Sequence, residues 1–148
     1  MDEDVKKCNS QIIKRYKRFL KDNGIYKRVM LKHLENAKKM SLTLEEFFSN
    51  RVKMTLISNS GSFCLWERTD EGKAFWWIIS NKWKYICIKE QLVNPISTFA
   101  IKDTCMVIRD FLNRHSYEIS QQCFDEMDYM FDDLKRLYEN KTGEKLRI

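Results

Sequence analysis

Chemistry has few footholds in this chain. Its only histidines are His33 and His115. Neither lies in an HExxH pattern, and no cysteine stands at a recognised local spacing from either, so neither zinc hydrolysis nor Cys–His catalysis has a motif. The four glycines, Gly24, Gly61, Gly72 and Gly143, are too scattered to build a glycine-rich phosphate loop. The adjacent acids Glu45-Glu46 and Asp132-Asp133 point in different directions if helical, which denies them a shared metal ion or acid/base work. Only carboxylates brought together by folding escape that argument. Cys8, Cys64, Cys87, Cys105 and Cys123 are odd in number and hold no CxxC pair. They read as reduced, small core hydrophobes. The expectation is a chain with no catalytic residue, no metal site and no cofactor, which acts by binding.

Charge is what the sequence offers instead. The net charge is +6, but it is segregated. Residues 1–40 hold 12 Lys/Arg against 5 Asp/Glu, and residues 116–139 hold 2 against 7. A first helix is predicted from Asp4 to Asp22, with Asp2, Glu3 and Asp4 suiting the positive end of its dipole and Asn23-Gly24 suiting its exit. At 100° per residue Val5, Cys8, Ile12, Ile13, Tyr16, Phe19 and Leu20 share one side. Lys6, Lys7, Lys14, Arg15, Lys17, Arg18 and Lys21 cover the other with no acid among them. At about 1.5 Å per residue that face is roughly 22 Å long, and it could follow a phosphate backbone. The plain alternative is a solvated face that keeps the protein soluble. Lys27, Arg28 and Lys32 extend the basic surface onto a second helix, about Tyr26 to Lys39, with Tyr26, Val29, Met30, His33 and Ala37 as its apolar stripe. The candidate nucleic-acid contacts are Lys7, Lys14, Arg15, Lys17, Arg18, Lys21, Lys27 and Arg28.

The remaining elements must hold that surface in place. In "SLTLEEFF", Thr43 and Glu46 form a capping box, with Leu42 and Phe47 at the staple positions; the short helix fades near Asn50. Residues 99–114 repeat Ile101, Cys105, Ile108 and Leu112. Ser116 is the expected cap of the last helix, with Glu118 in its first turn. That helix carries Ile119, Cys123, Met127, Met130, Leu134 and Leu137 as a core stripe, with Asp125, Asp128, Asp132 and Glu139 opposite. This acidic face could neutralise the basic helices, in the same molecule or a neighbouring copy, or face a partner.

"LWERTDEGKAFWWIISNKW" holds all four tryptophans. Read as a hairpin turning at Asp70-Glu71-Gly72, its second strand is apolar on both faces, which only a doubly covered central strand tolerates. Read as a helix, Thr69 is the N-cap and Asp70 and Glu71 occupy the first turn. Gly72, Phe75, Trp76, Ile79, Trp83 and Ile86 then form one stripe. The helix is the favoured reading, although "YICIKE" and "KMTLIS" keep some strand character. Trp77 falls beside Lys73 and Lys84, away from the stripe. It either packs under another segment or anchors a partner, with the two lysines flanking it.

The longer stretch "FCLWERTDEGKAFWWIISNKW" resembles a motif of small phage-encoded proteins of unknown function, approximately Phe-x-x-Trp-x-x-Thr-Pro-Glu-Gly-x-x-Phe/Tyr-Trp-x-x-Ile-x-x-x-Trp. The matching residues are Phe63, Trp66, Thr69, Glu71, Gly72, Phe75, Trp76, Ile79 and Trp83, and "SLTLEEFFSN" and "DNGIYKRVMLKHLEN" resemble the approach to it. Asp70 departs from the usual Pro, and Trp77 from a polar position. The resemblance implies phage origin, a shared fold element and no activity.

Length and composition complete the expectation. The chain has 148 residues, 43% of them hydrophobic, with one proline. That predicts one mostly α domain of five or six helices, with room for a short β-hairpin in residues 53–90. Within it lie a basic hairpin (1–40), a Trp-rich region (41–90) and a C-terminal helix pair (91–148). No apolar run is long enough to span a membrane and "MDEDVKKC" lacks a signal region, which predicts the cytoplasm, here of a bacterial host. Nucleic acid is the first expected partner. A host, defence or virion protein is the second.

Overall fold

A computed structural model of the chain describes residues 3–23, 27–53, 65–91 and 97–148. Six helices are described: α1 (Glu3–Asp22), α2 (Lys27–Lys39), α3 (Leu44–Asn50), α4 (Asp70–Gln91), α5 (Thr98–His115) and α6 (Gln121–Thr142). Two 3-10 turns, Trp66–Arg68 and Ser116–Glu118, precede α4 and α6. The described residues contain no strand. "YICIKE" is helical, as is the whole stretch read as an alternative hairpin from Asp70 onward. Gly24, Tyr26 and most of "KMTLIS" lie outside the described residues.

The Trp-rich stretch is a helix because its start is locally satisfied. The Gly72 N–H donates to Thr69 Oγ1 at 3.0 Å, and the Thr69 hydroxyl donates to the Trp66 carbonyl at 2.6 Å. The 3-10 turn thereby folds back onto the first turn of α4. Trp66 is buried against Phe75 and Phe111, and Phe75 stacks on Phe111 at 4.5 Å. Gly72 sits under the Trp66 carbonyl so closely that an added Cβ would overlap its oxygen. Only glycine fits there.

α4 is the centre of the bundle and contacts α1, α3, α5 and α6. Its burial is therefore not confined to the one expected stripe. Phe75, Ile79 and Ile86 are buried as predicted, but so are Ala74, Ile78 and Lys82. α1 buries Val5, Cys8, Ile12, Tyr16 and Leu20, and its start is tied to the start of α5, where the Ser97 N–H donates to Asp4 Oδ2 at 3.0 Å. The Thr43–Glu46 capping box is complete, with both backbone N–H groups satisfied.

Two local expectations are corrected. The last helix is capped by Ser120, not Ser116: its hydroxyl accepts from the Cys123 N–H at 3.1 Å. The Glu67 carboxylate accepts from both the Ser120 N–H and its hydroxyl, which places the cap four residues later. Ile119 is extended and buried ahead of the helix. Val29, expected in the core, is 51% exposed. α2 packs mainly on α1 and α3 among the described residues, and buries Met30 and Ala37.

Thr69→Ala should cost about 1 kcal/mol, as loss of a helix cap usually does. Gly72→Ala should lower stability, although inside an ordinary helix the same change adds about 1 kcal/mol. Thermal or urea denaturation of the two variants checks both signs.

Candidate functional site

The basic face of α1 carries a row of charges that form no salt bridge among the described residues. Lys7, Lys14, Arg15, Lys17, Arg18 and Lys21 are all exposed, while the opposite side of the same helix enters the core. Among the described residues none of these six forms a salt bridge; on α1 only Lys6 does, with Glu3 at 3.4 Å. Arg15 also lies over the Tyr85 ring, 5.9 Å from its centroid. Arg28 is exposed on α2. Lys27 begins α2, and its side chain lies outside the described residues.

Trp77 is not free-standing. It is half-buried, with ring centroids 5.2 Å from Tyr16 and 5.4 Å from Phe19, so it fastens α4 to α1. Its outer edge, with Lys73, lines a hollow of ≈ 420 Å³. Lys84 lines an adjoining hollow of ≈ 700 Å³ between α4 and α6. The two hollows share Trp76, Gln122 and Glu126, which makes them one groove. The structure thus brings the three expected partner-binding residues to one groove. It also puts Glu67, Asp70, Asp125 and Glu126 there, carboxylates that no spacing rule connects.

Two buried polar clusters escaped sequence reasoning. Lys82 pairs with Glu45 in the core, both 2% exposed. Burial opposes the ammonium, but the charge and hydrogen bond of Glu45 outweigh it and hold the Lys82 pKa above its ordinary value. Asp103, half-buried nearby, has its carboxyl pushed up mainly by burial, with Lys82 pulling the other way. The pair lies at the edge of a cleft of ≈ 710 Å³ lined by α1, α2 and α3. The second cluster is Glu71, which accepts from Arg51 Nε at 3.1 Å and lies 3.7 Å from His33 Nε2. Burial lowers the His33 pKa, Glu71 raises it less, and Arg51 adds to the lowering.

Burial also pushes the Cys8 and Cys87 thiols up to about 11, and Cys105 and Cys123 to about 12. These four are free thiols and stay protonated at neutral pH, so none is a ready nucleophile. Among the described residues no group of three or more His, Cys, Asp or Glu is placed to hold a metal ion. No described helix is long and apolar enough to cross a membrane. No family model, curated protein or solved structure matches the chain.

Glu45→Gln leaves a buried ammonium without its counter-charge and should cost about 3–5 kcal/mol, whereas Glu45→Leu combined with Lys82→Met should recover most of that loss. Because the Lys82 pKa is raised, the pair's contribution is fully present at neutral pH and is lost only above the ordinary lysine range. The His33 shift has the opposite consequence. Below about pH 6.5 the unfolded chain takes up a proton that folded His33 resists, so stability should fall as the pH drops through that range. Urea midpoints between pH 7 and 5 should show this, with a shallower slope in His33→Gln.

Proposed function

We propose that the protein binds nucleic acid through the exposed basic face of α1, extended by Arg28 on α2. The observation that carries this reading is the row of Lys7, Lys14, Arg15, Lys17, Arg18 and Lys21, exposed together and without salt bridges among the described residues. A surface that serves only solubility mixes signs, because interspersed acids lower the self-repulsion. This row has no acid within it. Its regular spacing on a rigid helix matches what a phosphate backbone needs, and it offers no arrangement for reading base edges. The reading is therefore of affinity without sequence preference, in a non-enzymatic protein. The resemblance of the Trp-rich stretch to small phage proteins is what supports reading this activity as one in a phage-infected bacterial cell.

Binding to a fluorescent DNA or RNA duplex should weaken steeply as salt rises, because condensed counterions are released. Replacing Lys14, Arg18 and Lys21 with Gln should reduce the slope of log affinity against log salt by about 2.7, at about 0.9 per phosphate contact, and leave the melting temperature unchanged. Absence of binding by the unaltered protein at low salt overturns the proposal.

A further inference from the structure

The groove between α4 and α6 has a composition that the nucleic-acid reading does not use. Trp76, Trp83 and Tyr129 line its larger hollow together with Asp125, Glu126, Ser80, Gln122, Met130 and Lys84. Tyr129 is 59% exposed and meets Trp83 edge-on, with ring centroids 6.0 Å apart and planes at 83°. Trp83 is locked from behind: its Nε1–H donates to Asp133 Oδ2 at 2.8 Å. Asp125 and Glu126 are exposed on the wall of the same hollow. Each accepts from a neutral glutamine one turn back, Gln121 to Asp125 at 2.8 Å and Gln122 to Glu126 at 3.5 Å, and neither forms a salt bridge among the described residues.

We propose that this groove binds a basic protein segment, taking an arginine or lysine side chain against the exposed Tyr129 ring beside Trp83 with Asp125 and Glu126 as its counter-charges. The face of an aromatic ring attracts a guanidinium or ammonium, and carboxylates beside the rings add to that attraction. An apolar occupant would bury those carboxylates unpaired, at a cost that its contact area must offset. A nucleic acid would bring phosphates against them. Lys84 opposes the cation, one charge against two. The groove continues through Trp76, Gln122 and Glu126 into the smaller hollow, whose lining adds Asp70, Lys73 and Glu67, the last held by Ser120, so four carboxylates and two lysines line its length. That length suits an extended segment better than a lone small cation.

The test is tryptophan fluorescence at low salt, titrating the whole protein with a peptide of alternating Arg and Gly. The expected result is saturable quenching that weakens with salt and is absent with the matching Glu/Gly peptide. Tyr129→Ala and the double variant Asp125→Asn/Glu126→Gln alter exposed side chains. Each should weaken binding at least tenfold with an unchanged melting temperature, while Lys84→Gln should tighten it. Replacing Lys14, Arg18 and Lys21 with Gln should leave peptide binding untouched, which separates this site from the α1 face. The proposal is overturned by absence of saturable quenching, by undiminished binding in the Tyr129 and carboxylate variants, or by equal binding of the acidic peptide. It is also overturned if a DNA or RNA oligonucleotide binds the unaltered protein and loses affinity in Tyr129→Ala.

Discussion

A single buried charge pair constrains the arrangement of the helices. Lys82 lies on the central helix with Ile78 and Ile86 one turn to either side, all of them buried. An apolar contact tolerates some rotation or sliding of a helix, because one methyl group can replace another. An ammonium in the core does not, since any position without a carboxylate leaves it uncompensated. Glu45 supplies that carboxylate from α3 and so sets the rotation of a helix of only seven residues. Cys8 of α1 and Asp103 of α5 are the next groups to feel the Lys82 charge. Four helices therefore meet around one side chain, which gives the bundle a register that its aliphatic residues alone leave loose.

Elements with strong local signals were legible in the sequence. The amphipathic pattern of α1 gave its buried and exposed faces residue by residue, and the Thr43–Glu46 and Thr69 starts were readable because a cap lies within three residues of what it satisfies. The signals that failed were non-local. Ser116 and Ser120 are equally good caps by type, and the choice is made by Glu67, more than fifty residues away along the chain. Val29 fits an apolar stripe, but burial requires a neighbour, and among the described residues none covers it.

The candidate sites divide in the same way. The basic face is a property of one helix and could be read from its periodicity. The groove combines α4 with α6, so the carboxylates of one helix and the tryptophans of the other had no visible relation until the chain folded. Trp77 shows why an aromatic on a polar arc is ambiguous in sequence. The arc was assigned correctly, yet the space outside it is filled by Tyr16 and Phe19 of a helix some sixty residues earlier. Glu45 and Lys82 were equally silent, because nothing in a one-dimensional pattern identifies a lysine that will face inward.

The Asp4–Ser97 hydrogen bond has a consequence for the order in which the molecule assembles. It closes a loop of more than ninety residues, and the larger contacts of α1, on α4 and α5, also lie far along the chain, with only α2 close by. α5 and α6, by contrast, are sequence neighbours with an extensive contact, and so close cheaply in entropy. On a ribosome α1 emerges before α4 and α5, and most of its apolar stripe has no cover until α4 has been made, on the order of several seconds later at ordinary elongation rates. Throughout that interval its apolar stripe is open to whatever else is nearby. The lysines and arginines along its other side are then the chief restraint on association between unfinished chains, since like-charged helices repel one another.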